Sequence, residues 1–301
     1  MAEPTIHPRA LPDDRPADVL HIRPDPSGAV VVKPVLAGWR YLSFSTRRIR
    51  AGTGITIGPG PSETVVVVLS GRDVDVRGIG TLPGRTSPFA GLPSAVYVPA
   101  GHRQRIRARE DTELALAFAP LSGREGVATD PILITADDIR VEIRGAGNAT
   151  RQINHIIDPD FPADRLEIVE VLTPSGNWSS WPPHKHDVDD MPNEAVLEEV
   201  YHYRFHRPEA WAIQRVYRAD RSRDGIWEVR DGDVVIVPDG YHPFSAAHGD
   251  DAYYLNALAG DRRTMACSFD PDLDWVRETW ASMEPDPRLP LVPPVPSTAI
   301  S

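Results

Sequence analysis

Two histidines, a glutamate and a third histidine follow one another in the second half of the chain, at positions where all four side chains can face the same way. His184 and His186 are separated by one residue in SSWPPHKHD, so on a strand both imidazoles point to one face. Glu199 opens the alternating run EVYHYRF, and His242 follows the turn residues PDGY. Three neutral imidazoles and one carboxylate suit zinc, manganese or iron. The pattern therefore predicts one divalent metal ion bound by these four side chains.

The competing interpretation of these residues is structural. A histidine pair on a strand is more often solvated or part of a core, and only the ordered continuation through a glutamate and a later histidine favours a metal. Glu198 competes with Glu199 for the ligand role, but Glu199 directly precedes the apolar and aromatic alternation, so Glu198 is expected to face outward. The other histidines of the second half fit no such series and are expected to be surface or structural residues: His155, His202, His206 and His248.

Composition narrows the class of protein. The chain has 301 residues, enough for two domains of about 150 residues each, and its hydrophobic content of 41% is enough to bury a core. A net charge of -11 argues against binding to nucleic acid, which needs a clustered positive surface. The single cysteine, Cys267, cannot form an internal disulfide, and no run approaches the roughly 20 apolar residues of a membrane helix. We expect a cytoplasmic protein without nucleic-acid or membrane partners.

Short strands dominate the predicted secondary structure. The 31 prolines and 22 glycines lie between short apolar runs, a pattern typical of many strands joined by turns. The first half contains VVVKPV, WRYLSFSTRRI, TVVVVL ending at Ser70 and Gly71, DVDVRG, AVYV, RQRIRA and ELALAFAP. The second half contains LEIVEVLT, EEVYHYRF, AIQRVY, GIWEVR, DVVIVP and AYYLNALAG. A helix is expected only in DLDWVRETWAS, residues 272–282.

The two halves echo each other. AVYVPAGH at residues 95–102 is similar to VVIVPDGYH at residues 234–242, and Glu63 opens a strand as Glu199 does. We interpret this echo as a duplicated β unit. The predicted organisation is an extended N-terminal segment (1–29), an N-terminal β domain without metal (30–145), a C-terminal metal-binding β domain (146–282) and a proline-rich tail (283–301). The tail suggests contacts with further copies of the chain, as a homo-oligomer.

The metal-ligand series resembles the two motifs of the cupin fold. The segments GNWSSWPPHKHD, LEEVYHYRF, QRVY, VRDGDVVIVPDGYHP, ETVVVVLSGR and VYVPAG, spread over residues 30–280, are together similar to the 5-deoxy-glucuronate isomerase family of myo-inositol degradation. This resemblance implies an all-β bicupin of two double-stranded β-helix barrels with few short helices. It implies one divalent ion, zinc first and manganese or iron as alternatives. The sequence departs from the usual motif in a long insertion, residues 187–198, between the second histidine and the glutamate.

The resemblance also implies a reaction. Members convert the aldose acid 5-deoxy-D-glucuronate to the ketose acid 5-dehydro-2-deoxy-D-gluconate, so the partner is a small sugar acid. For this aldose-ketose isomerisation, Tyr201 and Tyr203 alternate to the same side as Glu199 and are candidates to donate to or orient substrate oxygens. They fill the barrel with their rings in the competing interpretation. The general base is not identified by the sequence.

Further candidates surround the predicted ligands. The substrate carboxylate requires an arginine or a lysine, and the candidates are Arg151, Lys185 and Arg215. Lys185 is expected to alternate outward between the two histidines and to serve a neighbouring loop instead. Asp187 and Tyr241 flank ligands and are expected to support them.

Three other functions remain open at this point. A cupin dioxygenase uses the same ligand set to hold iron. The related 4-deoxy-5-ketouronate isomerase acts on another sugar acid. A non-enzymatic sugar-binding regulator is disfavoured because the sequence contains no pair of helices with basic residues.

Overall fold

A computed structural model describes the backbone of residues 5–6 and residues 20–294. The predicted N-terminal segment (1–29) and proline-rich tail (283–301) therefore lie partly outside the described residues. Within the described part of the chain, no helix is long and apolar enough to span a membrane.

Strands form nearly all of the regular structure, as the β-branched and alternating segments predict. Those of the first half are β1 Thr5–Ile6, β2 His21–Ile22, β3 Val31–Val32, β4 Ser43–Ile49, β5 Gly54–Ile57, β6 Ser62–Val76, β7 Gly80–Arg85, β8 Ala95–Val98, β9 Gln104–Arg107, β10 Thr112–Pro120 and β11 Ile132–Ile134. Those of the second half are β12 Arg140–Arg144, β13 Arg151–Ile157, β14 Leu166–Thr173, β15 Trp178–Ser179, β16 His184–Lys185, β17 Leu197–Phe205, β18 Ala212–Tyr217, β19 Asp224–Val229, β20 Val234–Val237, β21 Phe244–Ala246, β22 Ala252–Gly260 and β23 Ser268–Phe269. The α-helices are α1 Pro34–Ala37 and α2 Val276–Thr279, with 3-10 turns at Ala136–Asp138 and Trp280–Ser282.

The order of neighbouring strands is the same in both halves. In the first half it runs β8, β6, β10, β4, β3, and in the second β20, β17, β22, β14, β13, with β12 at the far edge. The registers agree as well: Thr64 lies opposite Val98 and Phe118. Glu199 lies opposite Val237 and Leu258. Thr64 therefore occupies in the first barrel the position that Glu199 occupies in the second.

Alternation along the central strands builds three cores. Inward-facing side chains fill each barrel separately, with Val66 in the first and Tyr201 in the second. The side chains between them, such as Val65 and Val200, face outward and form one shared core between the two halves. The result is the all-β bicupin architecture that the sequence predicts. β2 joins the edge of the second-half sheet by pairing with β20, so the two halves are also linked through the N-terminal segment.

A matching pair of carboxylates ties each half to the other. Glu63 and Glu198 are both buried, and each accepts three consecutive backbone N–H groups that precede or open a strand of the opposite half. The donors to Glu63 are Asp164, Arg165 and Leu166, at 2.7, 2.7 and 2.8 Å, and the donors to Glu198 are Arg40, Tyr41 and Leu42, at 2.6, 2.9 and 2.7 Å. The structural counterpart of Glu63 is thus Glu198, whereas the sequence echo paired it with Glu199. Glu198 does point away from its own barrel, but it is buried in the contact between the two halves.

Local differences from the predicted elements have identifiable causes. The run VVVKPV contains α1 in place of a continuous strand, because Pro34 suits the first helical turn and Gly38 ends the helix with a φ of 68°. β6 does not end at Ser70 and Gly71 but continues to Val76. Gly71 has a φ of 107°, and this left-handed conformation lets one strand pass from pairing with β10 to pairing with β7. The helix predicted at residues 272–282 shortens to α2 and a 3-10 turn.

Candidate metal centre and cavity

Three of the four predicted ligands meet inside the second barrel. His186, Glu199 and His242 are buried, and their potential ligand atoms all lie within 4.8 Å of one another. His186 Nε2 lies 2.9 Å and His242 Nε2 lies 3.3 Å from Glu199 Oε2. The ring of His184 lies beside this trio, with its centroid 4.6 Å from that of His242 and 6.4 Å from that of His186. The structure therefore brings all four residues together, with His184 at the edge of the group.

The histidine rings are oriented by backbone carbonyls. Nδ1 of His186 donates to the carbonyl of Leu197, and Nδ1 of His242 donates to the carbonyl of Gly240, both at 2.9 Å. Each ring therefore turns Nε2 toward Glu199. His242 Nε2 is buried and has no hydrogen-bond partner among the described residues. A buried, unpaired imidazole nitrogen beside a carboxylate is what a divalent cation requires, so the residues fit a metal ion.

The charge states agree with this interpretation. Burial lowers the pKa of His242 to about 4, against weaker opposing effects such as the charge of Glu199, and it lowers the pKa of His184 well below the usual value. Both imidazoles are therefore neutral at pH 7, the form that binds metals. Burial acts in the same direction on His186, but the hydrogen bond and negative charge of Glu199 raise its pKa. Glu199 is thus the anionic partner that a bound cation would neutralise.

The segment that carries the first two histidines is braced from outside the barrel. Asp187 accepts a hydrogen bond from the Gly240 N–H at 2.8 Å and another from Lys185 Nζ at 2.6 Å, which links this segment to the turn before His242. Lys185 also pairs with Glu194 at 2.8 Å. Glu194 in turn accepts the N–H groups of Asp187 and Val188, which folds the insertion back on the ligand strand. Lys185 therefore serves the loop, as its alternation predicts.

The turn before His242 is fixed by a second contact. Tyr241 exchanges two backbone hydrogen bonds with Tyr217, at 2.8 and 2.9 Å, and their rings lie 5.2 Å apart. Gly240 has a φ of 87°, and a Cβ there would lie 2.4 Å from the Tyr217 carbonyl oxygen. Tyr241 thus acts through the backbone of this turn.

A cavity of about 370 Å³ opens beside the candidate metal ligands. His184, His186 and Glu199 line one wall. β12 and β13 also contribute lining residues, and the barrel interior supplies aromatic and amide groups. The polar residues of these other walls are Arg144, Arg151, His155, Ser180, Tyr201, Tyr254, Asn256 and Arg277.

Arg151 is the buried cation of this cavity. It is 6% exposed, and its Nη1 donates only to the carbonyls of Ala149 and Trp181, at 3.1 and 3.4 Å. It has no carboxylate partner among the described residues, whereas Arg144 pairs with Glu142. Burial lowers the pKa of Arg151 to about 10, so the guanidinium is still charged at pH 7. An arginine without an acid beside a cavity is an anion-binding group.

The remaining sequence candidates divide between the cavity and other places. Tyr201 lines the cavity with its hydroxyl 3.0 Å from Ser180 Oγ. Tyr203 lies deeper in the barrel core, where it donates to Gln214 at 2.8 Å and does not reach the cavity wall. Arg215 is paired with Asp224 at 2.7 Å on the outside of the barrel. The geometry therefore supports neither Arg215 nor Lys185 as a cavity residue.

The sequence interpretation missed His155. The sequence predicts a surface or structural residue, but His155 is 5% exposed and lines the cavity. The signal was present in RQINHII, because alternation along β13 places Arg151, Ile153 and His155 on one face. His202 lies in the shared core beside Phe44, and His206 and His248 lie outside the cavity, as expected.

Comparison with known proteins gives close relatives along most of the chain. The 5-deoxy-glucuronate isomerase of Geobacillus kaustophilus is 41% identical over 262 residues, which cover 85% of this chain and 93% of that protein. The protein of the same name from Bacillus subtilis strain 168 is 36% identical and covers 79% of this chain and 88% of its own length.

Solved structures agree with these relatives. The crystal structure of an IolB-like protein from Salmonella typhimurium LT2 superposes with a TM-score of 0.80 at 35% identity, and covers 85% of this chain and 98% of that chain. Oxalate decarboxylase from Lactobacillus farciminis, at 11% identity and a TM-score of 0.59 over 85% of this chain and 90% of its own, shares the fold alone. The KduI/IolB family pattern matches residues 21–276, which include both barrels and all four predicted ligands. The chain therefore belongs to the KduI/IolB family.

Proposed function

We propose that this protein is a metal-dependent aldose-ketose isomerase that converts 5-deoxy-D-glucuronate to 5-dehydro-2-deoxy-D-gluconate in myo-inositol degradation. The observation that carries the proposal is one cavity lined both by His184, His186 and Glu199 of the candidate metal-ligand group and by Arg151, which has no carboxylate partner among the described residues. The names of the relatives supply the substrate.

The shape and charge of the cavity suit a small sugar acid. Its volume of about 370 Å³ lies within the range of small-molecule sites. The substrate carries an aldehyde and a hydroxyl group at one end and a carboxylate at the other. The proposed pose places the aldehyde end at His184, His186, Glu199 and His242, and the carboxylate at Arg151.

Each group in this pose has a defined task. A divalent ion held by the four ligands, with zinc proposed ahead of manganese and iron, supplies Lewis-acid polarisation of the carbonyl. Burial, reinforced by the charge of Glu199, raises the pKa of Tyr201 well above its usual value, so its hydroxyl stays protonated and can donate to a substrate oxygen together with Ser180. Arg151 orients the sugar acid through its carboxylate. We place the reaction in the cytoplasm, where the thiol of Cys267 stays reduced.

A metal-dependence assay tests the proposal. Purified protein is incubated with 5-deoxy-D-glucuronate before chelation, after chelation, and after return of zinc, manganese or iron. We expect turnover that disappears with the metal and returns with one of these ions, without oxygen uptake. Faster turnover of 4-deoxy-5-ketouronate, or oxygen consumption, would replace the proposal by one of the rival activities.

Two histidine variants locate the activity. His184→Ala should lose metal and activity, because His184 adjoins the trio. His206→Ala should stay active, because this ring pairs with Asp250 outside the cavity. Equal loss of activity in both variants would contradict the site assignment.

A further inference from the structure

The part of the cavity wall formed by β13 carries a histidine that the proposed function does not yet use, and this histidine is paired with a carboxylate on β12. On β13, His155 follows Arg151 and Ile153 on the face that lines the cavity. β12 pairs with β13 so that Arg140 lies opposite His155 and Glu142 lies two residues further along the same face. His155 Nε2 lies 2.9 Å from Glu142 Oε2.

Glu142 is held as a carboxylate in a fixed orientation. Arg144 donates to its two oxygens at 2.7 and 3.0 Å, and Arg140 approaches at 3.4 Å. Partial burial opposes ionisation, but the hydrogen bonds from Arg144 and His155 outweigh it and lower the pKa of Glu142 to about 2. Glu142 therefore accepts at neutral pH, and Nε2 of His155 must carry the proton that it donates.

The other nitrogen of the His155 ring is left free. Nδ1 is buried and has no hydrogen-bond partner among the described residues. Burial lowers the pKa of His155, and the charges of Arg140 and Arg144 act in the same direction against the raising effect of Glu142. At pH 7 the ring is therefore neutral, with its proton on Nε2 and an unshared electron pair on Nδ1. A neutral imidazole oriented by a carboxylate is the form in which histidine accepts a proton from a substrate.

We propose that His155 is the general base of the isomerisation and that Glu142 is its positioning residue; this rests on the proposed function. Nδ1 takes the proton from the carbon next to the aldehyde, and the electrons of that C–H bond form the C=C bond of an enediolate as the aldehyde oxygen becomes negative. His155 then returns the proton to the former aldehyde carbon. The hydroxyl proton passes to the other oxygen as the new carbonyl forms, so protons and electrons balance without a co-reactant.

The position of His155 in the sheet suits this task. His155 lies opposite Val169 on the neighbouring strand, Val169 lies opposite Asn256, and Asn256 lies opposite Tyr201. His155 is therefore in the same cross-strand row as Asn256 and Tyr201, two polar residues that line the cavity. Glu199 lies on the same strand as Tyr201, one inward position away. A sugar acid held between the ligand wall and Arg151 therefore passes in front of the His155 row.

His155→Gln in metal-loaded protein is the direct test. Glutamine can still donate to Glu142 but cannot accept a proton at this point in the reaction. We expect unchanged metal content, a KM within about threefold and a kcat lower by about 10²- to 10⁴-fold. His206→Gln, which alters a histidine–carboxylate pair outside the cavity, is the matched control and should keep the wild-type kcat. A near-normal kcat in His155→Gln would overturn the proposal.

Glu142→Gln separates a catalytic dyad from a merely structural pair. Removing the carboxylate charge lowers the pKa of His155 further, so the acid limb of kcat/KM should move to lower pH while kcat falls. A lower kcat with an unmoved acid limb would contradict the dyad.

NMR titration of the His155 ring, assigned by comparison with His155→Gln, gives a readout that does not depend on turnover. It should titrate below 6.5 in the wild type and lower still in Glu142→Gln, and a pKa above 6.5 would overturn the assignment. Wild-type protein that does not convert the sugar acid contradicts the proposed function, and the NMR titration then still decides the state of the dyad.

Discussion

The two barrels pair their strands in the same register but fill their interiors differently. One row of inward positions, read across three neighbouring strands, has Ser43, Phe118 and Thr64 in the first barrel and Glu167, Leu258 and Glu199 in the second. The next row has Leu116 and Val66 against Asn256 and Tyr201, and the one after it Leu114 and Val68 against Tyr254 and Tyr203. His155 matches Val31 by the same register.

This difference distinguishes a barrel filled by apolar side chains from one that keeps a cavity and the candidate metal ligands. The first barrel uses its interior positions for apolar packing, which stabilises the molecule. The second barrel keeps a cavity and buries two carboxylates at positions where the first has hydroxyl groups. Glu199 Oε2 lies 2.9 and 3.3 Å from two histidine nitrogens, whereas both carboxylate oxygens of Glu167 are buried without a side-chain hydrogen-bond partner among the described residues. The common strand framework thus tolerates polar interiors only at a cost in stability.

The largest expected effect comes from removing the carboxylate that we propose as a metal ligand. Glu199→Gln should lower kcat/KM by at least about 100-fold, because a ligand contributes more than the 10- to 100-fold of a supporting residue. Its bound metal, measured by elemental analysis, should fall in parallel. The matched change in the first barrel, Thr64→Val, should leave activity within about twofold. Comparable losses in both variants would show that the first barrel takes part in the chemistry.

Placing a carboxylate at the matching position of the first barrel should destabilise the protein. Thr64→Glu buries a carboxylate among Val98, Phe118 and other apolar side chains, with no histidine to pair with it. We expect the free energy of unfolding to fall by about 3–5 kcal/mol, the usual effect of an uncompensated buried charge. Chemical denaturation checks this against Thr64→Val. An unchanged denaturation midpoint would mean that the first barrel is less tightly packed than its buried side chains indicate.

Glu167 should make stability depend on pH. Burial raises its pKa from 4.5 to about 7, although Arg263 and His186 act in the opposite direction. Between pH 4.5 and about 7 the unfolded chain loses this proton while the folded chain keeps it, so stability falls as pH rises and levels off above about 7. The shift corresponds to roughly 3 kcal/mol.

Glu167→Gln should remove the loss of stability that the wild type shows as the pH rises. The variant should be more stable than the wild type at pH 8, and the difference should shrink as the pH falls toward 4.5. Thermal denaturation at several pH values measures it. Ser43→Ala, at the matching position of the first barrel, is the control, and its difference in stability from the wild type should not change with pH. A stability difference that does not change with pH would contradict the raised pKa.

Much of this arrangement follows from local patterns in the sequence. Alternation along β17 predicts that Glu199 and Tyr201 share the barrel interior, and the His184 and His186 spacing predicts their common face. The parts that could not be predicted depend on contacts between distant residues. Glu198 was assigned to the outside because alternation gives the face and not what covers it. His155 gains its importance only from Glu142 on the neighbouring strand and from the cavity beyond it.

Glu63 and Glu198, the two carboxylates between the barrels, are a pair of positions at which the two halves do match. Glu63 and Glu198 each accept three backbone N–H groups of the opposite half, so Glu63→Gln and Glu198→Gln should each lower the free energy of unfolding by about 2–3 kcal/mol. An amide supplies one accepting oxygen and turns an N–H₂ group toward the remaining donors, which explains the loss. Denaturation midpoints of the two variants should agree closely. A much larger effect at Glu198 would show that this residue also supports the neighbouring candidate metal ligand, Glu199. The two carboxylates would then match in geometry but not in their contribution to the free energy of unfolding.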